Sequence, residues 1–211
     1  MKVTQALPFR AVLVFCALLF AMPVSAQTAG DWLSAPANAA PPAQNPLRIA
    51  LLRWYNANQT TSFAVGSQPY GVAFDGANIW TANFGDGTVS KVRANDGTVL
   101  GTFRVGFSPI GVTFDGANIW VSDNATNNVF KLRASDGATL GTFTIGGAPY
   151  DIAFDGSHIW VGGAPQVDEL RPSDGATVAV FDIPGTNVTG IAFDGANVWL
   201  SGLTDGRIYK F

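Results

Sequence analysis

The stretch Phe74-Asp75-Gly76-Ala77-Asn78-Ile79-Trp80 is the first of four copies of one pattern along the chain, two of them identical. It recurs as Phe114 to Trp120, as Phe154-Asp155-Gly156-Ser157-His158-Ile159-Trp160, and as Phe193 to Trp199. The phenylalanines that open the copies stand 40, 40 and 39 residues apart, and residues 63–102 match 103–142 at 22 of 40 positions. A fixed period of this length marks a repeat architecture. Each unit divides into four short β-rich runs, in the first copy Tyr70 to Phe74, Asn78 to Ala82, Thr88 to Arg93 and Val99 to Val105. Asp75-Gly76 and Asp96-Gly97 mark tight reversals between runs, because glycine accepts positive φ and an aspartate side chain bonds nearby backbone amides.

Four antiparallel strands per unit make a blade, so the expected fold is all-β, a β-propeller of four-stranded blades with four repeats present. Val72 and Phe74 share one face of the first strand and Gly71 and Ala73 the other, so large residues of one blade can meet small ones of the next. Trp80, Trp120, Trp160 and Trp199 are then structural pegs, each burying roughly 150–250 Å². The fourth copy reaches Phe211 after three strands, while Thr60 to Val65 matches the fourth strand of a unit, as in Thr102 to Val105. An N-terminal strand that completes the last blade gives a closed four-bladed ring and removes exposed sheet edges. The rival reading is a partial arc of a larger propeller, with self-association if the ring is incomplete.

Outside the repeats, Lys2 and Arg10 precede an apolar run from Ala11 to Ala21, followed by Pro23 and the small residues Val24, Ser25 and Ala26. This pattern predicts a signal peptide over residues 1–26 and a secreted or periplasmic protein. The apolar run is shorter than the roughly 20 residues that span a bilayer, so no stable membrane anchor is expected after cleavage. Residues 27–45, with Pro36, Pro41 and Pro42 among alanines, read as a linker, and Asn45-Pro46 opens a short helix over 46–57. The repeats occupy 59–211. Cys16, the only cysteine, falls in the signal, so stability must come from packing rather than disulfides. Without residues 1–26 the formal charge is 10 Lys and Arg against 15 Asp and Glu, or −5. An acidic chain argues against nucleic acid as a partner.

The FDGANIW phrase, followed by Thr88-Val89-Ser90-Lys91-Val92-Arg93-Ala94-Asn95-Asp96-Gly97 and by Val129-Phe130-Lys131-Leu132-Arg133-Ala134-Ser135-Asp136-Gly137, resembles the bacterial YVTN and NHL-like β-propeller proteins. It is more distantly similar to the streptogramin (virginiamycin B) lyases. The resemblance covers about residues 59–211 and implies a propeller that serves as a binding module or, in the lyases, a metal-dependent enzyme using histidine, an acid and magnesium. His158 is the only histidine and Glu169 the only glutamate, so a lyase-like or lactonase-like reaction would require His158, Glu169 and Asp151 to converge.

No metal and no cofactor are expected otherwise. Asp75, Asp115, Asp155 and Asp194 each stand alone beside a glycine, whereas calcium needs six to eight converging oxygens. Lys91, Lys131 and Lys210 recur on the third strand, with Glu169 in their place in the third copy, and read as a solvated face. Positions that break the repeat carry more functional information. At the start of the innermost strand the copies hold Tyr70, Ile110, Tyr150 and Thr189, and then Gly71, Gly111, Asp151 and Gly190. Tyr70, Tyr150 and Asp151 are therefore the candidate ligand-binding residues, at one mouth of the channel. The expected partner is a protein, peptide or glycan.

Overall fold

The structure is a computed structural model that describes residues 62–211. The expected signal, linker and helix lie outside the described residues. Blade 1 contains β1 (Pro69–Phe74), β2 (Asn78–Asn83), β3 (Thr88–Arg93) and β4 (Val99–Arg104). Blade 2 contains β5 (Pro109–Phe114), β6 (Asn118–Asp123), β7 (Asn128–Arg133) and β8 (Thr139–Thr144). Blade 3 follows with β9 (Ile152–Phe154), β10 (Ile159–Gly162), β11 (Gln166–Leu170) and β12 (Thr177–Asp182), and blade 4 with β13 (Val188–Phe193), β14 (Val198–Gly202) and β15 (Ile208–Lys210). Each blade is one antiparallel sheet with its strands in chain order, and together they form a four-bladed propeller arrangement.

The repeated phrase folds each blade's first hairpin. Asp75 Oδ1 accepts the Ala77 and Asn78 N–H groups at 2.9 and 2.6 Å, and Gly76 takes the positive φ the reversal requires. The other carboxylate oxygen accepts the Trp80 indole N–H at 2.8 Å. Trp120, Trp160 and Trp199 bond Asp115, Asp155 and Asp194 in the same way, each at 2.7 Å. The phrase thus ties the turn to the ring that fills the space between blades.

The core lies between blades rather than within them. Trp80, Ala82, Val89 and Val105 of blade 1 pack on Val112, Ile119, Val121 and Leu132 of blade 2. Blades 2 and 3 repeat this through Trp120, Val129, Ile152 and Ile159, and blades 3 and 4 through Trp160, Val167, Val188 and Leu200. Each of these tryptophans stacks on the phenylalanine of its own outermost strand, Trp80 on Phe103 and Trp120 on Phe143 at 5.6 Å, Trp160 on Phe181 at 5.5 Å. The far side of that phenylalanine covers a glycine of the next blade: Phe103 lies over Gly137 and Phe143 over Gly175, where any Cβ would strike the ring.

Two expectations change here. Lys91 is 8% exposed rather than solvated: its Nζ donates to the Ala134 and Ser135 carbonyls of blade 2 at 2.7 and 3.0 Å. Lys131 does the same toward the Pro172 carbonyl of blade 3 at 2.6 Å. Each ammonium also lies 5.2 Å from the centroid of its own blade's tryptophan. Recurrence of lysine on the third strand suggested a wet face, but a propeller strand has a neighbouring blade on either side.

The second change concerns the ring's ends. Ser62–Val65, the described part of the expected completing strand, belongs to no strand. Phe63 nevertheless covers Gly97 of blade 1, as Phe103 covers Gly137. Val72 and Phe74 are 63% and 56% exposed, whereas Val112 is 7%. At the other end Trp199 and Ile208 are 37% and 73% exposed, whereas Trp80 and Val89 are fully buried. Among the described residues, blade 4 has three strands and the outer faces of blades 1 and 4 are open.

Candidate functional site

The loops that lead into the innermost strands gather the side chains that break the repeat. The Phe84 N–H donates to the Gln68 carbonyl at 2.9 Å, which folds the β2–β3 turn back on the lead-in to β1. Phe84 thereby meets the exposed Tyr70, with ring centroids 5.5 Å apart. The Val105 N–H donates to the Gly87 carbonyl at 3.0 Å, so the same turn adjoins the segment leading into blade 2. There the Asp123 carboxylate accepts the Phe107 and Ser108 N–H groups at 3.2 and 2.5 Å. Phe107 itself projects into solvent, 66% exposed, with the Arg104 guanidinium 5.4 Å from its ring centroid. Tyr70, Phe84, Arg104 and Phe107 therefore share one end of the molecule on backbone that is hydrogen-bonded in place.

Tyr150 is half-buried at the same end of blade 3. Its N–H donates to the Gly162 carbonyl at 2.7 Å and its carbonyl accepts the Ser122 hydroxyl of blade 2 at 2.8 Å. Asp151 follows directly. One of its carboxylate oxygens accepts the Ile152 N–H and the other the Ile191 N–H of blade 4, both at 2.9 Å. Burial raises its pKa above the usual carboxylate value, and the two amide bonds offset that only in part. Glycine occupies this position elsewhere because the inner strands run backbone against backbone: a Cβ at Gly71 would collide with the Ile110 carbonyl. In blade 3 the aspartate fills that space and bridges to β13. A cavity of about 320 Å³ lined by Asp151, Ile191, Trp199, Ser201 and Ile208 includes neither tyrosine.

His158 and Glu169 meet, Nδ1 to Oε1 at 3.0 Å. Glu169 stands opposite Trp160 in the β10–β11 ladder, where Lys91 stands opposite Trp80. Histidine and glutamate thus replace the asparagine and lysine of the other blades together, as a pair. Asp151 does not join them. Its carbonyl bonds Gly162 at one end of the β9–β10 hairpin, while the Asp155 N–H bonds the His158 carbonyl at the other, about 13 Å away at strand rise.

Each turn aspartate accepts two backbone amides and an indole N–H. Burial disfavours the charge of Asp75 and Asp115, but indole, amide and side-chain donors outweigh it and hold both pKa values below the ordinary carboxylate range. No group of three His, Cys, Asp or Glu is arranged to hold a metal among the described residues. Magnesium prefers near-octahedral oxygen ligands, and the His158–Glu169 pair does not fit such a site. The Asp–Trp bond and the buried lysine were not read from sequence. The five-residue spacing of Asp and Trp in every copy was the available sign of the first.

No family model matches the chain and no curated protein matches it. Solved structures do. Hydrazine synthase of Kuenenia stuttgartiensis is 17% identical with a TM-score of 0.63, covering 73% of this chain and 48% of its own. A catalytically inactive virginiamycin B lyase from Staphylococcus aureus, solved with quinupristin, is 20% identical with a TM-score of 0.59, covering 70% and 52%. BamB from Moraxella catarrhalis is 18% identical with a TM-score of 0.58, covering 69% and 47%. The chain thus spans about half the length of these structures. The lyase and BamB are β-propellers, and at these identities the likeness speaks to architecture alone. By fold, then, this chain is a β-propeller of four-stranded blades.

Proposed function

We propose that the protein is an exported interaction module that captures a protein or peptide on the end carrying Tyr70, Phe84, Arg104 and Phe107, with Tyr150 and Asp151 at the channel mouth. The supporting observation is the set of exposed Tyr70, Arg104 and Phe107, with the half-buried Phe84 against Tyr70. Tyrosine, tryptophan and arginine dominate interface energetics because they bring large contact area at modest entropic cost. Here they stand on strand ends and turns fixed by backbone bonds, so little ordering is required on binding. Asp151 supports the mouth by joining blades 3 and 4. Export rests on the apolar N-terminal stretch, and a glycan is the alternative ligand.

The test is selection of peptides from a random library on the immobilised full chain. Binding of the selected peptides should weaken about tenfold or more in Tyr70→Ala and in Phe107→Ala. Peptides that bind the double variant as well as the parent would show that this end is not the site.

A second reading, a lyase-like or lactonase-like enzyme, has the His158–Glu169 pair in its favour, because a carboxylate can orient an imidazole as a general base. Hydrolysis or ring opening of a lactone panel that His158→Ala abolishes would support it.

A further inference from the structure

The two open ends of the blade array are complementary surfaces, because each is one half of a junction that the molecule makes three times internally. We propose that a second copy of this chain docks head to tail, blade 4 of one copy on blade 1 of the other, so that two copies close one eight-bladed ring.

The repeat specifies the contacts. In blades 1 to 3 the tryptophan stacks on the phenylalanine of its own fourth strand. Among the described residues Trp199 has no such partner and blade 4 has three strands. Phe63 is the converse: it lies over Gly97 as Phe103 lies over Gly137, yet among the described residues no tryptophan stacks on it, and it is 48% exposed. Blade 1 therefore already carries, in Ser62–Val65, a segment placed as the outermost strand of a preceding blade. A three-stranded blade is what remains to be supplied, and blade 4 is one. Val89 pairs with Phe103 in the β3–β4 ladder, so by repeat Ile208 takes Phe63 and Arg207 takes Ala64 of the other copy.

Other groups are left half-used in the same places. Lys210 lies 5.4 Å from the Trp199 ring centroid, the posture of Lys91 and Lys131 over their tryptophans. Those two reach carbonyls of the following blade. Lys210 has no following blade among the described residues, and the equivalent acceptors are the Ala94 and Asn95 carbonyls of a second copy. Ser122 donates to the Tyr150 carbonyl of the next blade; its counterpart Ser201 reaches only the Gly190 carbonyl of its own blade, at 3.5 Å, and the equivalent acceptor is the Tyr70 carbonyl of a second copy. The Thr81 hydroxyl, buried but without a hydrogen-bond partner, lines a cavity of about 250 Å³ with Phe63, Val72, Ile79 and Val92. That cavity and the one at Trp199 and Ile208 are the two sides of the missing junction.

A second copy is favoured over closure of the chain on itself because, among the described residues, Phe63 lies on blade 1 while the Trp199 and Ile208 face of blade 4 stands open. Repetition of the contact around a two-fold axis leaves no open face, which is the condition for a closed assembly rather than a filament.

The decisive experiment uses the full chain with Cys16→Ser, carrying either Ala64→Cys or Arg207→Cys, both at exposed positions. Mixing the two single-cysteine proteins under mild oxidation should give a covalent two-chain species, and neither alone should do so. Light scattering should give the mass of two copies, and Ile208→Glu should raise the dissociation constant about 100-fold by placing a charge in the junction. The double-cysteine chain should cross-link into two-chain species. An exclusively intramolecular disulfide would mean the ring closes on itself, and a ladder of larger products would mean an open chain of copies. Either result, or a single-copy mass at about 100 µM, overturns the proposal.

Discussion

At Asp115 one carboxylate accepts the Ala117 and Asn118 amides, the Asn118 side chain and the Trp120 indole. The residue is both the turn and the anchor of the ring that fills the junction between blades 2 and 3. Trp120→Ala should cost about 3–5 kcal/mol, because a fully buried ring leaves a cavity the rigid blades cannot collapse. Asp115→Ala should cost about 1–3 kcal/mol by stranding its donors. Urea denaturation measures both. The same bonds fix the acid limit. The folded pKa values of Asp75, Asp115 and Asp155 are lowered, their donors outweighing the burial that opposes the charge. Their stabilisation is therefore complete above the unfolded carboxylate pKa, about 4, and is lost as pH falls through the lower folded values. Asp151 and Asp168, raised by burial, act in the opposite sense, and stability falls as pH rises from about 4 through their folded values. Denaturation midpoints followed downward from pH 7 should drop steeply only below about pH 4, and Asp115→Asn should lessen the drop.

At the scale of the strand, sequence showed more of the pairing than of the packing. The Asp-Gly and Trp positions placed the hairpins, and the observed β1, β2 and β3 begin or end within a residue of the runs read from the first copy. The solvated-face reading failed for Lys91, because a strand has a wet face only where one face of its sheet meets water. In a blade both faces of a strand abut neighbours, and a buried lysine persists by giving its protons to carbonyls across the junction. Lys91→Met keeps the stem and removes the donors, leaving the Ala134 and Ser135 carbonyls without that partner. It should destabilise by about 1.5–3 kcal/mol, with a larger loss than Arg93→Met, whose ion pair with Asp96 is about half exposed. Equal effects in thermal unfolding would assign the lysine no bridging role. The candidate site was legible to the extent that Tyr70, Tyr150 and Asp151 break the repeat. Phe84, Arg104 and Phe107 were not found, because their proximity depends on turns from different strands meeting at one end.

For the molecule as a whole, the number of blades was legible in the repeat count, but the state of the two ends was not, since it depends on how the blades curve. An array whose units touch only their neighbours has stability that declines toward any uncovered end. Among the described residues blades 2 and 3 are covered on both faces, blades 1 and 4 on one. If two copies close the ring, every blade is covered twice and the gradient disappears. Amide hydrogen exchange reads this strand by strand. In the Ile208→Glu chain, β1, β14 and β15 should exchange at least tenfold faster than β6 and β10. In the parent chain at concentrations where the dimer forms, β1 and β14 should slow to the rates of β6 and β10, and their protection should fall on dilution by mass action. A gradient that persists in the parent at every concentration would show that the end blades remain uncovered. Loss of the gradient without any dependence on concentration would mean that the chain covers its own ends.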